Sequence, residues 1–276
     1  MDARVWNGGA GLGWVAAEAA LDQMYAPFND LLADGLAGRV LDVGCGTGST
    51  TLALAQRGAQ CVGIDPSLPM LAAARARMAR EGMAADFLPA DAQTYAFAPG
   101  VFDAMVSRFG VMFFADPVAA FANLRRGARP GGVLRFAAWR GIAENPFMIA
   151  AEEAARPLLP QLAPRKKEEP GQFAFADRDR IFSILKDGGW AAIEIEPIDV
   201  ACRFAEAELD NYLAVMGPVG RALRQADDET RARVMRNVRP AFDPFVQGEE
   251  VRFTAACWIV NARAPLVRTR AMRAGR

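Results

Sequence analysis

The sequence predicts an α/β protein: a doubly wound, mostly parallel sheet of about seven strands under a helical cap. Three observations carry this. Short apolar runs alternate with helix-patterned runs between residues 39 and 139. A glycine cluster, VLDVGCGTG at residues 40–48, stands where the first strand hands over to a helix. Aspartates close the next two runs, at Asp65 and Asp91. Strands apolar on both faces need cover on both faces, the condition of a parallel sheet between helices.

Residues 1–36 read as amphipathic helix. Trp14, Leu21, Met24, Tyr25, Phe28, Leu31 and Leu32 recur at helical spacing, and Pro27 should kink or split it. RVLDVG is the first strand, with a helix from Ser49 to about Arg57. AQCVGID is the second, ending at Asp65, with a helix from Leu68 to Glu81. ADFLPAD is the third, ending at Asp91, and FDAMVSRFG the fourth, followed by a helix from Pro117 to Ala128. GGVLRFAAW is the fifth. The rhythm then lapses. Residues 141–172 carry Pro146, Pro157, Pro160, Pro164 and Pro170 with the charged RKKEEP, an insertion with helix in its first half and loop in its second. A helix returns from Arg178 to Asp187, then AAIEIEPIDVACRF as a strand broken at Pro197. Residues 206–238 are helical with a break at GPVG, and VRFTAACWIVNARA is a closing antiparallel strand near residues 252–263.

Composition removes several function classes. The 32 basic and 32 acidic residues cancel, so no global field draws the chain to nucleic acid or an anionic membrane. Cys45, Cys61, Cys202 and Cys257 form no CxxC pair, which argues against a zinc site or disulfide framework and for a reducing, cytoplasmic setting. The opening MDARVWNGGAG lacks a secretion pattern, and no apolar run is long enough to span a bilayer. There is no histidine. Histidine triads, histidine-ligated metals and imidazole bases are therefore excluded, and proton transfer falls to a carboxylate, tyrosine, cysteine, water or the substrate.

The glycine pattern is GxGxG, not the GxGxxG of dinucleotide sites, with Asp42 two residues before the first glycine. Asp65 follows Gly48 by seventeen positions, where a carboxylate can accept both hydroxyls of a ribose. Asp91 closes the third run and Ser107 to Phe109 the fourth. In a doubly wound sheet these ends converge on one crevice, and three acidic ends in succession form a nucleoside-binding constellation.

These residues resemble the class I S-adenosylmethionine-dependent methyltransferases. VLDVGCGTG looks like their first motif, VGIDPSLPMLAAARAR their acidic second-strand motif, and FLPADAQTYAF their adenine-contacting segment. FDAMVSRFGVMFFADPVAAFANLRRGARPGGVLRFAAW is similar to the branch of ubiquinone and menaquinone biosynthesis methyltransferases. The resemblance covers residues 38–139, and it implies a Rossmann-like fold with S-adenosylmethionine as cofactor. It implies that Gly44, Cys45, Gly46 and Gly48 form the loop approached by the methionine and ribose moieties, with Asp42 ordering it. It further implies Asp65 on the ribose hydroxyls, Pro66 and Met70 beside the adenine, Asp91 and the Ala92 N–H on the adenine edge, and Ser107 beside the aminobutyrate arm. Methyl transfer needs positioning and desolvation more than an acid, a base or a metal, which suits a chain without histidine.

On the substrate side, Phe109, Phe113, Phe114, Trp139 and Phe147 follow the fourth and fifth strands. They read either as core or as an aromatic wall beside the methyl group. Asn145 either orients a substrate polar group or caps the helix starting near Pro146. Trp14 reads as helix core and Trp6, beside NGG, as the ligand contact. Arg108 either pairs with a substrate carboxylate or forms a surface salt bridge. Glu18, Tyr25, Glu144 and Tyr212 are the proton acceptors within reach. The catechol-type metal ligands are missing where SRFG stands, and the Asn/Asp-Pro-Pro-Tyr/Phe motif is absent.

The expected organisation is a helical lid at 1–36, a catalytic domain at 37–264 with cap insertions at about 141–176 and 205–248, and a basic tail at 265–276. The expected function is metal-free methyl transfer to a small molecule, without nucleic acid or membrane partners. The alternatives are a cofactor-binding pseudoenzyme acting through partners and a nicotinamide-dependent oxidoreductase, the latter lacking a catalytic Ser-Tyr-Lys or histidine set.

Overall fold

The computed structural model describes residues 3–162 and 169–266. The N-terminal segment is three helices, α1 (Ala3–Asn7), α2 (Gly9–Ala16) and α3 (Glu18–Ala33). The sheet region follows as β1 (Arg39–Val43), α4 (Ser49–Gln56), β2 (Gln60–Asp65), α5 (Leu68–Arg80), β3 (Asp86–Pro89), β4 (Phe102–Arg108), α6 (Pro117–Gly127) and β5 (Ala128–Trp139). Then come α7 (Phe147–Ala155), α8 (Arg178–Asp187), β6 (Ala191–Ala205), α9 (Leu209–Val215), α10 (Gly217–Leu223), α11 (Asp228–Val238), β7 (Val246–Gln247) and β8 (Glu250–Arg263).

The strand order is β3-β2-β1-β4-β5-β8-β6, with the two-residue β7 paired to β8 off this path. Strands β1 to β5 are parallel, and β8 is antiparallel to both β5 and β6. The seven-stranded doubly wound sheet is thus present, with β7 as an eighth strand. Alternation along β1 separates two cores: Val40 packs with Leu54 and Leu71, whereas Leu41 and Val43 pack with Met24, Phe28 and Met105. The order reverses between β1 and β4, so their C-terminal ends open a crevice.

Several local expectations change. The N-terminal segment breaks at Gly8 and Ala17, while Pro27 lies inside α3 without splitting it. Burial of Met24, Tyr25, Phe28 and Leu32 on either side of the proline outweighs one missing hydrogen bond. Strand β3 ends at Pro89, because Asp91 turns the chain by accepting the Gln93 N–H at 2.8 Å. Strand β6 runs through Pro197 unbroken; it is the sheet edge, where a residue lacking an N–H is tolerated. The break predicted at GPVG falls at Met216, and Gly217 and Pro218 open α10. The insertion carries α7, while residues 163–168, with most of RKKEEP, and residues 267–276, with nearly all of the basic tail, lie outside the described residues.

One buried cation ties three elements together. Arg77 of α5 donates through Nε to the Thr47 carbonyl at 2.8 Å, and through Nη2 to Glu18 and to Asp22 (2.6 Å) of α3. Its side chain is 7% exposed, against 28% and 33% for the two carboxylates. Arg77→Ala strands both acids and frees the glycine loop. It should lower the unfolding free energy by about 3 kcal/mol, the low end for a broken buried pair because the acids are partly solvated. Urea denaturation measures this, and a loss under about 1 kcal/mol would show that packing alone holds α3 in place.

Candidate active site

The β1–α4 loop is left-handed at Gly44, Gly46 and Gly48, with φ of 67°, 54° and 81°. At Gly44 space also matters: a Cβ there would lie 2.9 Å from the Gly110 Cα. Gly48 immediately precedes α4. One carboxylate pins this loop to the next. Asp65 accepts the Gly46 N–H at 3.0 Å and the Ser67 N–H at 2.8 Å. Burial pushes it up to about 6, against the pull of those two bonds. Each of its oxygens keeps a further lone pair for a ligand.

Gly44, Gly46, Asp65, Pro66 and Met70 wall a cavity of about 100 Å³, closed on the β3 side by Ala90, Asp91 and Ala92. The remaining residues of the predicted cofactor set stand behind it. Asp42 shares the face of Val40, by strand alternation, and so points at α4, where the Thr51 hydroxyl donates to it at 2.6 Å. Cys45 is buried with its sulfur toward Gly63. Gly48 packs against Ala74. Ser107 donates to the Val43 carbonyl at 2.7 Å and accepts the Gly110 N–H at 3.1 Å, joining β4 to β1. These four shape the loop and do not face the crevice.

A larger cavity of about 540 Å³ adjoins the first, and Trp6, Trp14, Phe109 and Phe113 line both. Trp14 is therefore both: half-buried and packed against the core, it also walls the two cavities. Phe109 holds φ +67°, a strained backbone for a non-glycine residue, and stacks on Trp139 at 4.7 Å and 15°. Phe147 stacks on Phe253 at 3.9 Å and lines the larger cavity with Tyr25, Trp139 and Tyr212. Trp6 meets Phe113 edge-on at 5.1 Å, and its carbonyl accepts the Ser67 hydroxyl at 2.7 Å. Asn7 adds two bonds to the same turn, to the Pro66 carbonyl and from the Leu68 N–H, both 2.9 Å. The first helices are thus fastened to the segment that carries Asp65.

Asn145 takes neither predicted role. Its amide brackets Ala256 of β8, donating to the carbonyl at 3.0 Å and accepting the N–H at 2.9 Å, so it reaches neither cavity. Arg108 forms no surface salt bridge. Its Nη1 donates to Asn29 (2.9 Å) and Ser49 (2.7 Å), and the guanidinium lines the smaller cavity. Burial lowers its pKa, countered by the Asp42 charge. Of the reachable acids, Glu18 is held by Arg77. Glu144 is held by Arg140 at 2.7 Å, which keeps its carboxyl below the usual range. Neither faces the crevice. Sequence reasoning also missed Arg77, whose i, i+3 neighbours on α5 mark it only as one more surface arginine. Among the described residues no three His, Cys, Asp or Glu side chains are grouped to hold a metal ion.

Burial also pushes Asp42 up to about 6, opposed by the Thr51 hydroxyl and the Arg108 charge. A carboxyl whose folded pKa exceeds its unfolded value binds more protons when folded, so its contribution to stability falls as pH rises from about 4 to about 6. Asp42→Asn keeps an acceptor for Thr51 and removes this titration. The stability difference between pH 4.5 and 7.5 should shift by roughly 2–3 kcal/mol in favour of the higher pH. Urea unfolding at the two pH values checks it; identical differences in both proteins would contradict the assignment.

Residues 41–136 match a family model described as a methyltransferase domain. A demethylmenaquinone methyltransferase from Renibacterium salmoninarum is 32% identical over 163 residues, 56% of this chain and 67% of that protein. A second, from Thermus thermophilus, is 42% identical over 107 residues, 38% of this chain and 49% of that protein. The chain thus spans two thirds of one relative and half of the other. A solved structure concerned with converting a disulfide bond into a thioacetal group during echinomycin biosynthesis has a TM-score of 0.61. It covers 97% of this chain and 94% of that chain at 19% identity, a likeness of fold alone.

Proposed function

We propose, for a chain that belongs to the class I S-adenosylmethionine-dependent methyltransferases of the menaquinone-methyltransferase type, that the acceptor is a small molecule held in the larger cavity. S-adenosylmethionine is the cofactor of this family. The observation that carries the reading is the placement of the Asp65 carboxylate. It sits at the floor of a cavity whose far wall, Trp6, Trp14, Phe109 and Phe113, is shared with a second and larger one.

The residues present fit the cofactor. Asp65 is an acceptor with lone pairs to spare, suited to a ribose diol. Asp91 and the Ala92 backbone stand beside one another for a base edge, between the apolar sides of Pro66 and Met70. Gly44 and Gly46 let a ligand lie against the backbone. When bound, S-adenosylmethionine supplies an electrophilic methyl that an acceptor lone pair takes while the carbon–sulfur pair returns to sulfur. The chain's part is to bind, to orient and to exclude water. The aromatic walls supply the last two, and the larger cavity lies within the ordinary range for a small-molecule site.

This reading expects S-adenosylhomocysteine to bind in the micromolar range by calorimetry, and NAD not to bind. Asp65→Ala should weaken that binding by about 2–3 kcal/mol, roughly 30- to 150-fold, while the protein stays folded. Micromolar NAD binding with no response to S-adenosylhomocysteine would sink the reading. With Glu18 and Glu144 engaged by arginines, the rate should rise through the acceptor's own pKa. Profiles on two acceptors of different acidity should therefore break at different pH, and a common break near 6–7 would point to a carboxyl base instead.

A further inference from the structure

We propose that Arg108 binds the carboxylate on the amino-acid arm of the methyl donor, through the Nε–Nη2 edge of its guanidinium, and so selects donors that carry that carboxylate. The proposal rests on the methyltransferase reading and adds to its cofactor site a residue that the glycine loop and the aspartates do not account for.

The strand order sets the arrangement. Along β3-β2-β1-β4, the residues at or just past the strand ends line the smaller cavity in turn: Asp91, Asp65, Gly44 and Arg108. Three inter-strand steps of about 4.8 Å span roughly 14 Å, the scale of an adenosine extended by a methionine arm. With the adenosine on Asp91 and Asp65, the arm runs past Gly44 toward β4. The far end of that arm carries the only carboxylate of the molecule.

Arg108 meets this end with donors to spare. Its Nη1 is spent on Asn29 and Ser49, at 2.9 and 2.7 Å. Nε and Nη2 have no hydrogen-bond partner among the described residues. Neither atom is sealed from solvent, since the buried side-chain polar atoms without a partner there come down to Arg125 Nε. The two Nη1 bonds and the Tyr25 ring, its centroid 5.4 Å from the guanidinium carbon, fix how the group is turned. The Nε–Nη2 edge that remains is a fork able to take both oxygens of a carboxylate in parallel.

The neighbouring charges leave that edge to a ligand. Burial lowers the Arg108 pKa and the Arg77 charge adds to this, while Asp42, Asp22 and the Tyr25 phenol oppose it. Both acids are engaged elsewhere, Asp42 by the Thr51 hydroxyl at 2.6 Å and Asp22 by Arg77 at 2.6 Å. They hold Arg108 cationic from a distance and form no ion pair with it. An anionic acceptor is the other candidate for this cation. Yet Arg108 lines the smaller cavity and not the larger, whose own charged lining is Glu152, Glu169, Arg221 and Arg224. The guanidinium therefore faces the donor.

The test is calorimetry on the whole chain with two ligands: S-adenosylhomocysteine, and decarboxylated S-adenosylhomocysteine, which lacks only the carboxylate. The first should bind roughly 10- to 100-fold tighter than the second. Arg108→Gln should abolish most of that ratio by weakening S-adenosylhomocysteine, without weakening the decarboxylated ligand more than about twofold. Arg108→Lys keeps the charge and loses the fork, so its ratio should fall between those of the other two proteins. Equal binding of the two ligands to the unaltered protein would overturn the proposal, and that measurement needs no variant to fold. So would an unchanged ratio in the variants, or a parallel weakening of both ligands, the mark of a residue that only props the cavity. Failure of S-adenosylhomocysteine to bind the unaltered protein would instead strike the methyltransferase reading.

Discussion

Arg77 holds the site together. A guanidinium almost withdrawn from water must meet its hydrogen-bonding needs within the protein, and it does so on three elements at once. The Thr47 carbonyl fixes the glycine loop, and Glu18 and Asp22 fix the first turns of α3. Helix α3 in turn carries Tyr25 into the larger cavity and Asn29 to Arg108. A single buried cation therefore links the glycine loop at the smaller cavity to the helix that lines the larger one. Removing Arg77 leaves two carboxylates unpaired at once, whereas removing Glu18 or Asp22 leaves the cation its other acid.

Around that clamp the electrostatics are uneven in a useful way. Asp42 and Asp65 are both buried, and burial lifts both toward about 6. They do different work. Asp42 is turned to Thr51 and stiffens the start of α4, whereas Asp65 faces the cavity and spends one lone pair per oxygen on the N–H groups of Gly46 and Ser67. Arg108 stands between these acids and the aromatic wall, its hydrogen bonds satisfied by neutral groups. Asp65, Asp91 and Arg108 line the smaller cavity, and Glu152, Glu169, Arg221 and Arg224 the larger one. Charges of both signs therefore stand around both cavities.

The comparison of Trp14, Asn145 and Glu18 shows where pattern-reading stops. Trp14 fits the apolar period of an amphipathic helix, yet α2 is a separate helix, and its half-buried Trp14 both packs on the core and walls the smaller cavity. Asn145 precedes a helix and invites a capping role, but its amide instead matches the N–H and the carbonyl of Ala256 in β8, a carbonyl that also accepts the Arg140 N–H. Glu18 is a plausible acid in one dimension. In three it is the counterion of a residue fifty-nine positions away. Each of these depends on a partner distant in the chain, which no local period can report.

The sequence by itself determined the sheet. Wholly apolar runs separated by helical periods, the GxGxG turn and the aspartates near the ends of β2 and β3 are local features, and they sufficed for fold class, crevice and family. The convergence of Gly44, Gly46, Asp65 and Asp91 on one cavity follows from the doubly wound topology alone. Tertiary structure alone decided the larger cavity. The larger cavity is assembled from α1, α2, α3, the ends of β4 and β5, α7, α9, α10 and the segment after α11, scattered from residue 5 to residue 242. Which of their aromatic faces become wall and which become core is settled by the packing of one element on another, and packing is not a property of any segment taken singly.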